Sequence, residues 1–252
     1  MLAAQRRANI ISLVQEKHSV TVEDLAKAFQ VSEMTIRRDL AECERYSNIR
    51  RCHGGAVLKG ELKSEAEYDK KLASNLEPKR RLASYCATLV SPGMSVYLDA
   101  GTTTYCIAEA LCDVPDLTIV TNDLKIGLLL QKSEANVIML GGQMQKSTGS
   151  MIGNMTLAAL KELRVSVAFV GAACISDGYE AFTPTQEKAY LKRAIHTIAE
   201  TCYLVTDMSK FHCQALYKID QLSDYAAVIT DAAFTETERK KFAQRGINLV
   251  TV

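Results

Sequence analysis

The chain carries almost no net charge: 30 lysines and arginines against 29 aspartates and glutamates leave +1 at neutral pH. No global field draws a polyanion to it, so any nucleic-acid contact has to come from a local face. No apolar run approaches the ~20 residues of a membrane span. The opening segment MLAAQRRANIISLVQEK lacks the apolar stretch and cleavage site of a signal peptide, and a cytoplasmic protein is expected. The eight cysteines, at 43, 52, 86, 106, 112, 174, 202 and 213, include no C-x-x-C pair. That argues against a zinc site or a disulfide framework and for reduced thiols in a core. His196 and the His212-Cys213 pair show no ligand spacing, so no metal is expected. Residues 141–147, GGQMQKS, resemble a P-loop but carry Gln145 where glycine must precede the lysine, which argues against a nucleoside triphosphate site.

What is present begins with residues 21–40, TVEDLAKAFQVSEMTIRRDL. Val22, Leu25, Ala26 and Phe29 recur at i, i+3, i+4 and i+7, one apolar helix face. Thr21 is a candidate cap for it, with Asp24 three residues on. Gln30 and Val31 break the pattern. Ser32 can cap a second helix whose inward stripe is Ile36, Leu40 and Cys43. Thr35, Arg37 and Arg38 lie off that stripe and face solvent. Two helices crossing at a short turn, the second presenting threonine and paired arginines, suit a major groove. Candidate DNA contacts are Thr21, Ser32, Glu33, Thr35, Arg37 and Arg38. Ile10, Ile11 and Val14 mark a preceding helix. After the pair, IRRCHGGAVL reads as a hairpin turning at Gly54-Gly55, with Arg50, Arg51 and His53 near its tip. Arg51 and His53 join the candidate contacts. Residues 1–58 thus read as a winged helix-turn-helix, and 59–76, rich in lysine and glutamate, as a partly helical linker. The basic residues between Lys70 and Arg81 read as a solvated helix face.

Residues 77–252 have a different texture. Seven short β-rich runs, at 95–99, 117–121, 136–140, 165–171, 202–207, 226–230 and 247–252, alternate with helical patterns. The expected fold class is therefore α/β, with a mostly parallel sheet covered on both faces. Ligands of open α/β sheets bind beyond the carboxyl ends of the strands. Those ends carry Asp99-Ala100-Gly101-Thr102-Thr103-Thr104, Thr121-Asn122, Gly141-Gly142, Gly171-Ala172-Ala173 and Asp207-Met208-Ser209-Lys210. A Gly-Thr-Thr turn opening a helix offers N–H groups and hydroxyls to an anion. Lys210 adds a positive charge, and Asp99 and Asp207 suit sugar hydroxyls, which together suggest a small phosphorylated polyol. Each residue type alone is also an ordinary turn former. Glu187, Lys192 and Arg193 lie on one helix, either as a surface ion-pair face or within reach of the rim.

With these pieces assembled, the chain resembles a DeoR-family transcriptional repressor. The match rests on VSEMTIRRDL (31–40), HGGA (53–56), LDAGTTT (98–104), VTN (120–122), LGG (140–142), KR (192–193) and VTDMSKF (205–211). The resemblance implies a repressor of a sugar-metabolism operon, controlled by a sugar phosphate in the C-terminal domain. It implies a C-terminal fold similar to phosphosugar isomerases and CoA-transferases, with no cofactor. A homodimer or homotetramer on a double-stranded operator is implied as well. The effector residues would be Asp99, Gly101, Thr102, Thr103, Thr104, Thr121, Asn122, Gly141, Gly142, Lys192, Arg193, Asp207, Ser209 and Lys210. Departures from the family pattern are Ser47 and Asn48 after the recognition helix, Ser166 for an aspartate and Cys174 for a glycine. The rival reading is a phosphosugar isomerase with an appended DNA-binding unit, using Asp99 or Asp207 as base and Lys210 as electrostatic partner. No feature of the sequence demands turnover.

Overall fold

A computed structural model describes residues 1–17, 19–47, 49–52, 54–58, 61–62 and 68–252. Asn48 and His53 lie outside these. Three helices, α1 (Ala3–Lys17), α2 (Val22–Phe29) and α3 (Glu33–Tyr46), open the chain. Strands β1 (Ser19–Thr21), β2 (Ile49–Cys52) and β3 (Gly55–Leu58) form an antiparallel sheet in the order β1-β3-β2. Ile10, Val14, Val22, Leu25, Ile36, Leu40 and Cys43 make one core, so both helix stripes point inward as their spacing requires. Thr21 accepts the Asp24 N–H at 3.0 Å and Ser32 accepts that of Thr35 at 3.2 Å, capping α2 and α3. Gln30, at φ +53°, closes α2 in the left-handed region. The end of α3 is built differently. Ser47 is extended at φ −141°, and its hydroxyl donates back to the Cys43 carbonyl. Gly55 lets β3 approach β1, since a Cβ there would sit 2.0 Å from the Val20 carbonyl oxygen.

A short strand β4 (Glu61–Leu62) and helices α4 (Tyr68–Ala73) and α5 (Leu76–Ala87) lead into the larger unit. There β5 (Ser95–Leu98), α6 (Thr102–Leu111), β6 (Thr118–Thr121), α7 (Leu124–Leu130) and β7 (Asn136–Met139) come first. A hairpin of β8 (Gln143–Gln145) and β9 (Ser150–Ile152) precedes α8 (Asn154–Lys161) and β10 (Val165–Val170). The P-loop look-alike is thus the first strand of a hairpin. Then come β11 (Cys174–Ile175), β12 (Glu180–Thr183), α9 (Gln186–Ile198), β13 (Ala199–Thr206), β14 (Gln214–Ala215) and β15 (Tyr217–Gln221). The chain closes with β16 (Ala227–Thr230), α10 (Glu236–Gln244) and β17 (Leu249–Thr251).

The seven β-rich runs of the sequence are the seven strands of one sheet, ordered β17-β16-β13-β10-β5-β6-β7, and every neighbouring pair is parallel. Alternate residues bury on opposite faces: Val96 and Leu98 against α5, α6 and α7, Tyr97 against α8 and α9. The order reverses at β5 and β10, and that switch point is where an open sheet forms a crevice. A small antiparallel sheet, β11-β12-β15, lies apart from the main one.

Candidate DNA-binding and effector sites

The exposed face of α3 carries Glu33, Met34, Arg37 and Arg38, with Thr35 half-buried. Arg37 pairs with Glu33 at 3.0 Å, an exposed contact one turn apart that a phosphate can displace. Arg38 has no hydrogen-bond or ion-pair partner among the described residues. Thr21 and Ser32 spend their hydroxyls on capping, so their N–H-rich helix starts rather than free hydroxyls face outward. Behind this face, Asp39 is buried and takes Arg6 Nε at 2.6 Å and Arg7 Nε at 2.9 Å, tying α1 to α3. Met34, 71% exposed, sits on the face of Arg37 and Arg38 and was absent from the sequence candidates. Its signal was an apolar residue off the inward stripe.

The second site lies at the carboxyl edge of the sheet. Asp99 follows β5 and is buried; Lys192 reaches it from α9. The Lys192 ammonium also donates to the Gly171 carbonyl at 2.9 Å, and the Gly171 N–H donates to Asp99 at 3.0 Å. This charge-paired knot closes the switch point between β5 and β10. Arg193, one position on, does not join it. It donates to the carbonyls of Lys218 and Ile219 instead, because adjacent helical residues point about 100° apart.

Several predicted effector residues have their side chains already engaged. Thr104 Oγ1 donates toward the carbonyls of Asp99 and Gly101, fixing the turn that starts α6. Thr121 Oγ1 donates to the Leu98 carbonyl at 2.8 Å. Asn122 takes the Tyr97 hydroxyl at 2.9 Å and donates to the Met151 carbonyl at 2.9 Å. Gly142 allows Thr156 to close in, since a Cβ would meet its hydroxyl oxygen at 2.1 Å. These groups shape the crevice. Open to a ligand are the first N–H groups of α6, the hydroxyl of Thr103 and the charge of Lys210.

Asp207 is buried and accepts the Ser209 N–H at 2.9 Å and the Asn75 amide at 3.2 Å. Burial opposes its charge, but Lys210, the Ser209 hydrogen bond and Lys79 outweigh it and hold the carboxyl below its ordinary range. Lys79 is itself buried, not part of a solvated face; it donates to the carbonyls of Lys71 and Ser74. Burial lowers its pKa to about 8. Asp123, directly after Asn122, escaped the sequence reading. One carboxylate oxygen caps α7 through the Lys125 N–H at 2.8 Å, and the other is buried without a partner. Burial pushes this carboxyl up to about 6. Its signal was weak, since an aspartate after a strand reads first as a helix cap. Ser166 sits at the opposite, amino edge of the sheet, hydrogen-bonded to Ser95, so that departure leaves the crevice untouched.

Between the two sites, Arg50 of β2 turns away from the α3 face and pairs with Asp177, while Arg51 pairs with Glu44 at 2.9 Å. Asp177 also binds His212 at 2.7 Å, two residues past Lys210. His212 is therefore part of a contact between the wing and the larger unit. His196 by contrast lies against Tyr225 and 3.2 Å from Asp220.

Residues 6–61 match the family model of the DeoR-like helix-turn-helix domain, and residues 74–232 match that of the DeoR C terminal sensor domain. The chain belongs to the DeoR family of transcriptional regulators. The glycerol-3-phosphate regulon repressor of Escherichia coli strain K12 is 34% identical over 233 residues, covering 92% of each chain. The HTH-type transcriptional regulator YgbI of the same strain is 33% identical over 251 residues, covering 99% of this chain and 98% of YgbI. Among solved structures, ribose 5-phosphate isomerase A of Methanocaldococcus jannaschii aligns over 55% of each chain, at 18% identity and a TM-score of 0.40. In this DeoR-family regulator, no described helix is long and apolar enough to cross a membrane.

Proposed function

We propose that this DeoR-family regulator is a cytoplasmic repressor of a sugar-metabolism operon, controlled by a phosphorylated sugar. Residues 1–58 bind the operator, 59–76 connect, and 77–252 hold the effector and the oligomer contacts. The observation that carries this reading is one chain with two unlike anion-accepting sites: exposed arginines on α3, and the α6 N-terminus with Lys210 at a crevice beside a sheet switch point. The relative named as a glycerol-3-phosphate regulon repressor supports a phosphorylated effector. Thr35, Arg37 and Arg38 enter the major groove; Thr21, Ser32, Glu33, Arg51 and His53 lie along the backbone or adjacent groove. The effector phosphate sits on the α6 N-terminus at Gly101, Thr102 and Thr103, with Lys210 beside it. Asp99, Thr104, Thr121, Asn122, Gly141, Gly142, Lys192, Asp207 and Ser209 hold the crevice in shape around the sugar.

A single helix-turn-helix reads too few base pairs for specific regulation, so at least a homodimer binds. Turnover is not part of this reading. Asp99 is committed to Lys192 and Gly171, and Asp207 to Ser209 and Asn75, so neither carboxylate is poised as a base. The test is a panel of phosphorylated trioses, pentoses and hexoses screened by thermal shift, with products assayed in parallel. One ligand should raise the melting temperature without being consumed, and Lys210→Ala should lose that response while keeping operator binding. Turnover of any member, or an unchanged response in Lys210→Ala, overturns the reading.

A further inference from the structure

Beside Lys210, but outside the effector crevice, two cysteines come together from distant parts of the chain. Cys174 lies in β11 and is buried; Cys213 is partly exposed and precedes β14. The two pack in one small cluster with Phe182 and Ala215. The Cys213 N–H donates at 3.2 Å to the carbonyl of Ile175, the residue after Cys174, so the two segments run side by side. A disulfide forms readily only where the two side chains already meet, and the Cys174 thiol hydrogen-bonds that of Cys213. The Cys213 thiol also donates to the Lys210 carbonyl at 3.2 Å.

We propose that Cys174 and Cys213 are a redox-responsive thiol pair, in which a hydroperoxide drives a reversible disulfide that clamps the loop carrying Lys210. The Cys213 thiolate attacks the terminal peroxide oxygen. The O–O bond breaks, an alcohol or water leaves, and Cys213 becomes a sulfenic acid. The Cys174 sulfur, giving up its proton, attacks the Cys213 sulfur and expels hydroxide as water. Two thiols and one hydroperoxide thus give a disulfide, an alcohol and water. A small dithiol reverses the step by exchange.

The electrostatics favour Cys213 as the attacking thiol. A hydrogen bond from Cys174 and the charge of Lys210 draw its pKa down against burial. Cys43, Cys86, Cys106, Cys112 and Cys202 have theirs pushed up by burial. The place of the bond matters as much as its chemistry. Residues 207–213 run from Asp207 through Lys210 to His212, which holds Asp177 and through it Arg50 of the wing. A bond at Cys213 fixes that segment to β11.

The test uses the full-length reduced protein without effector or DNA, so it stands or falls apart from the proposed function. At neutral pH Cys213 should be alkylated at least about tenfold faster than the partly exposed Cys112. Limiting hydrogen peroxide should remove two hydrogens and join the peptides of Cys174 and Cys213, and dithiothreitol should restore both thiols. Cys213→Ser should leave Cys174 reduced under the same treatment. Cys174→Ala should stop at a Cys213 sulfenic acid that dimedone traps. Amides 208–212 should exchange at least roughly tenfold more slowly in the oxidised protein. A disulfide elsewhere, a wild-type Cys213 that proceeds to sulfinic acid, or unchanged exchange overturns the proposal.

Discussion

On α3, Arg37 and Arg38 stand in solvent, one held by an exposed glutamate and the other unpartnered among the described residues. At the sheet rim, Lys192 and Lys79 are withdrawn from water and every contact they make is internal. The first arrangement costs little to build and keeps its cations available to a polyanion, which gains by releasing counterions. The second costs several kcal/mol of desolvation per ion and is tolerable only with close partners. On the proposed function, the difference separates residues that meet a ligand from residues that hold a ligand site in shape. The largest expected effect tests the second kind. Lys192→Met leaves Asp99 buried without its cation and should lower unfolding free energy by about 3–5 kcal/mol. That is a fall in melting temperature on the order of 10 °C for a unit of this size. Adding Asp99→Asn should recover part of it. An unchanged urea midpoint in the single variant would erase the contrast between the two cation types.

Asp123 gives the next largest effect, and it carries a pH signature. Unfolded, this carboxyl titrates near ~3.9; folded, burial raises it to about 6. The native state therefore binds the extra proton between those values, and this stabilisation is lost as pH rises through 6. The difference amounts to up to about 3 kcal/mol at pH 7. Asp123→Asn keeps a helix cap and removes the ionisation, so it should be more stable than the parent at pH 7 and equal to it below pH 4. Denaturant titrations across that range give the answer; parallel curves mean that the carboxyl is solvated.

Smaller, and confined to function, is Arg38→Ala. Operator affinity should drop roughly tenfold to hundredfold, the ~1–3 kcal/mol of a base or phosphate contact. Anisotropy titrations at two salt concentrations separate the two, because losing a phosphate contact also reduces the salt slope by about 1. The melting temperature should stay where it is. A variant that unfolds instead assigns Arg38 to the core.

The ease of reading these regions from sequence follows the same division. The helix pair was legible because its stripe, its caps at Thr21 and Ser32 and its outward arginines are all local patterns. All seven parallel strands were legible too, since continuous apolar runs between helices leave few alternatives. Lys192 and Lys79 were not: the partner that buries Lys192, Asp99, is 93 residues away, and Lys79 is held by the nearby carbonyls of Lys71 and Ser74, which carry no side-chain pattern to read. Arg193 was grouped with Lys192 by adjacency, whereas helix geometry sends them to different faces. Asp123 was hidden behind the more conspicuous Thr121-Asn122, and both of those spend their side chains on the scaffold. Reading residue type at strand ends finds the crevice. It does not tell which polar groups are left over to bind.

The smallest effect lies between the two regions, where Arg50 crosses from the wing to Asp177. Both side chains are substantially exposed, so the pair itself contributes about 0.2–1 kcal/mol at most. Arg50→Ala and Asp177→Asn should each shift the melting temperature by no more than about 2–4 °C. A double-mutant cycle should return a coupling inside the same narrow range. The pair nevertheless joins the wing to His212, and so to the loop of Lys210. An effector that changes operator affinity must interact differently with the two states it couples, by ~1–3 kcal/mol in typical cases. A contact worth less than that can bias the switch without fixing it. Arg50→Ala should therefore leave effector affinity within about twofold and reduce, not abolish, the effector's influence on operator binding. Complete uncoupling would make Arg50 the sole connection, and no change at all would move the coupling to the α4–α5 segment held by Lys79 and Asn75.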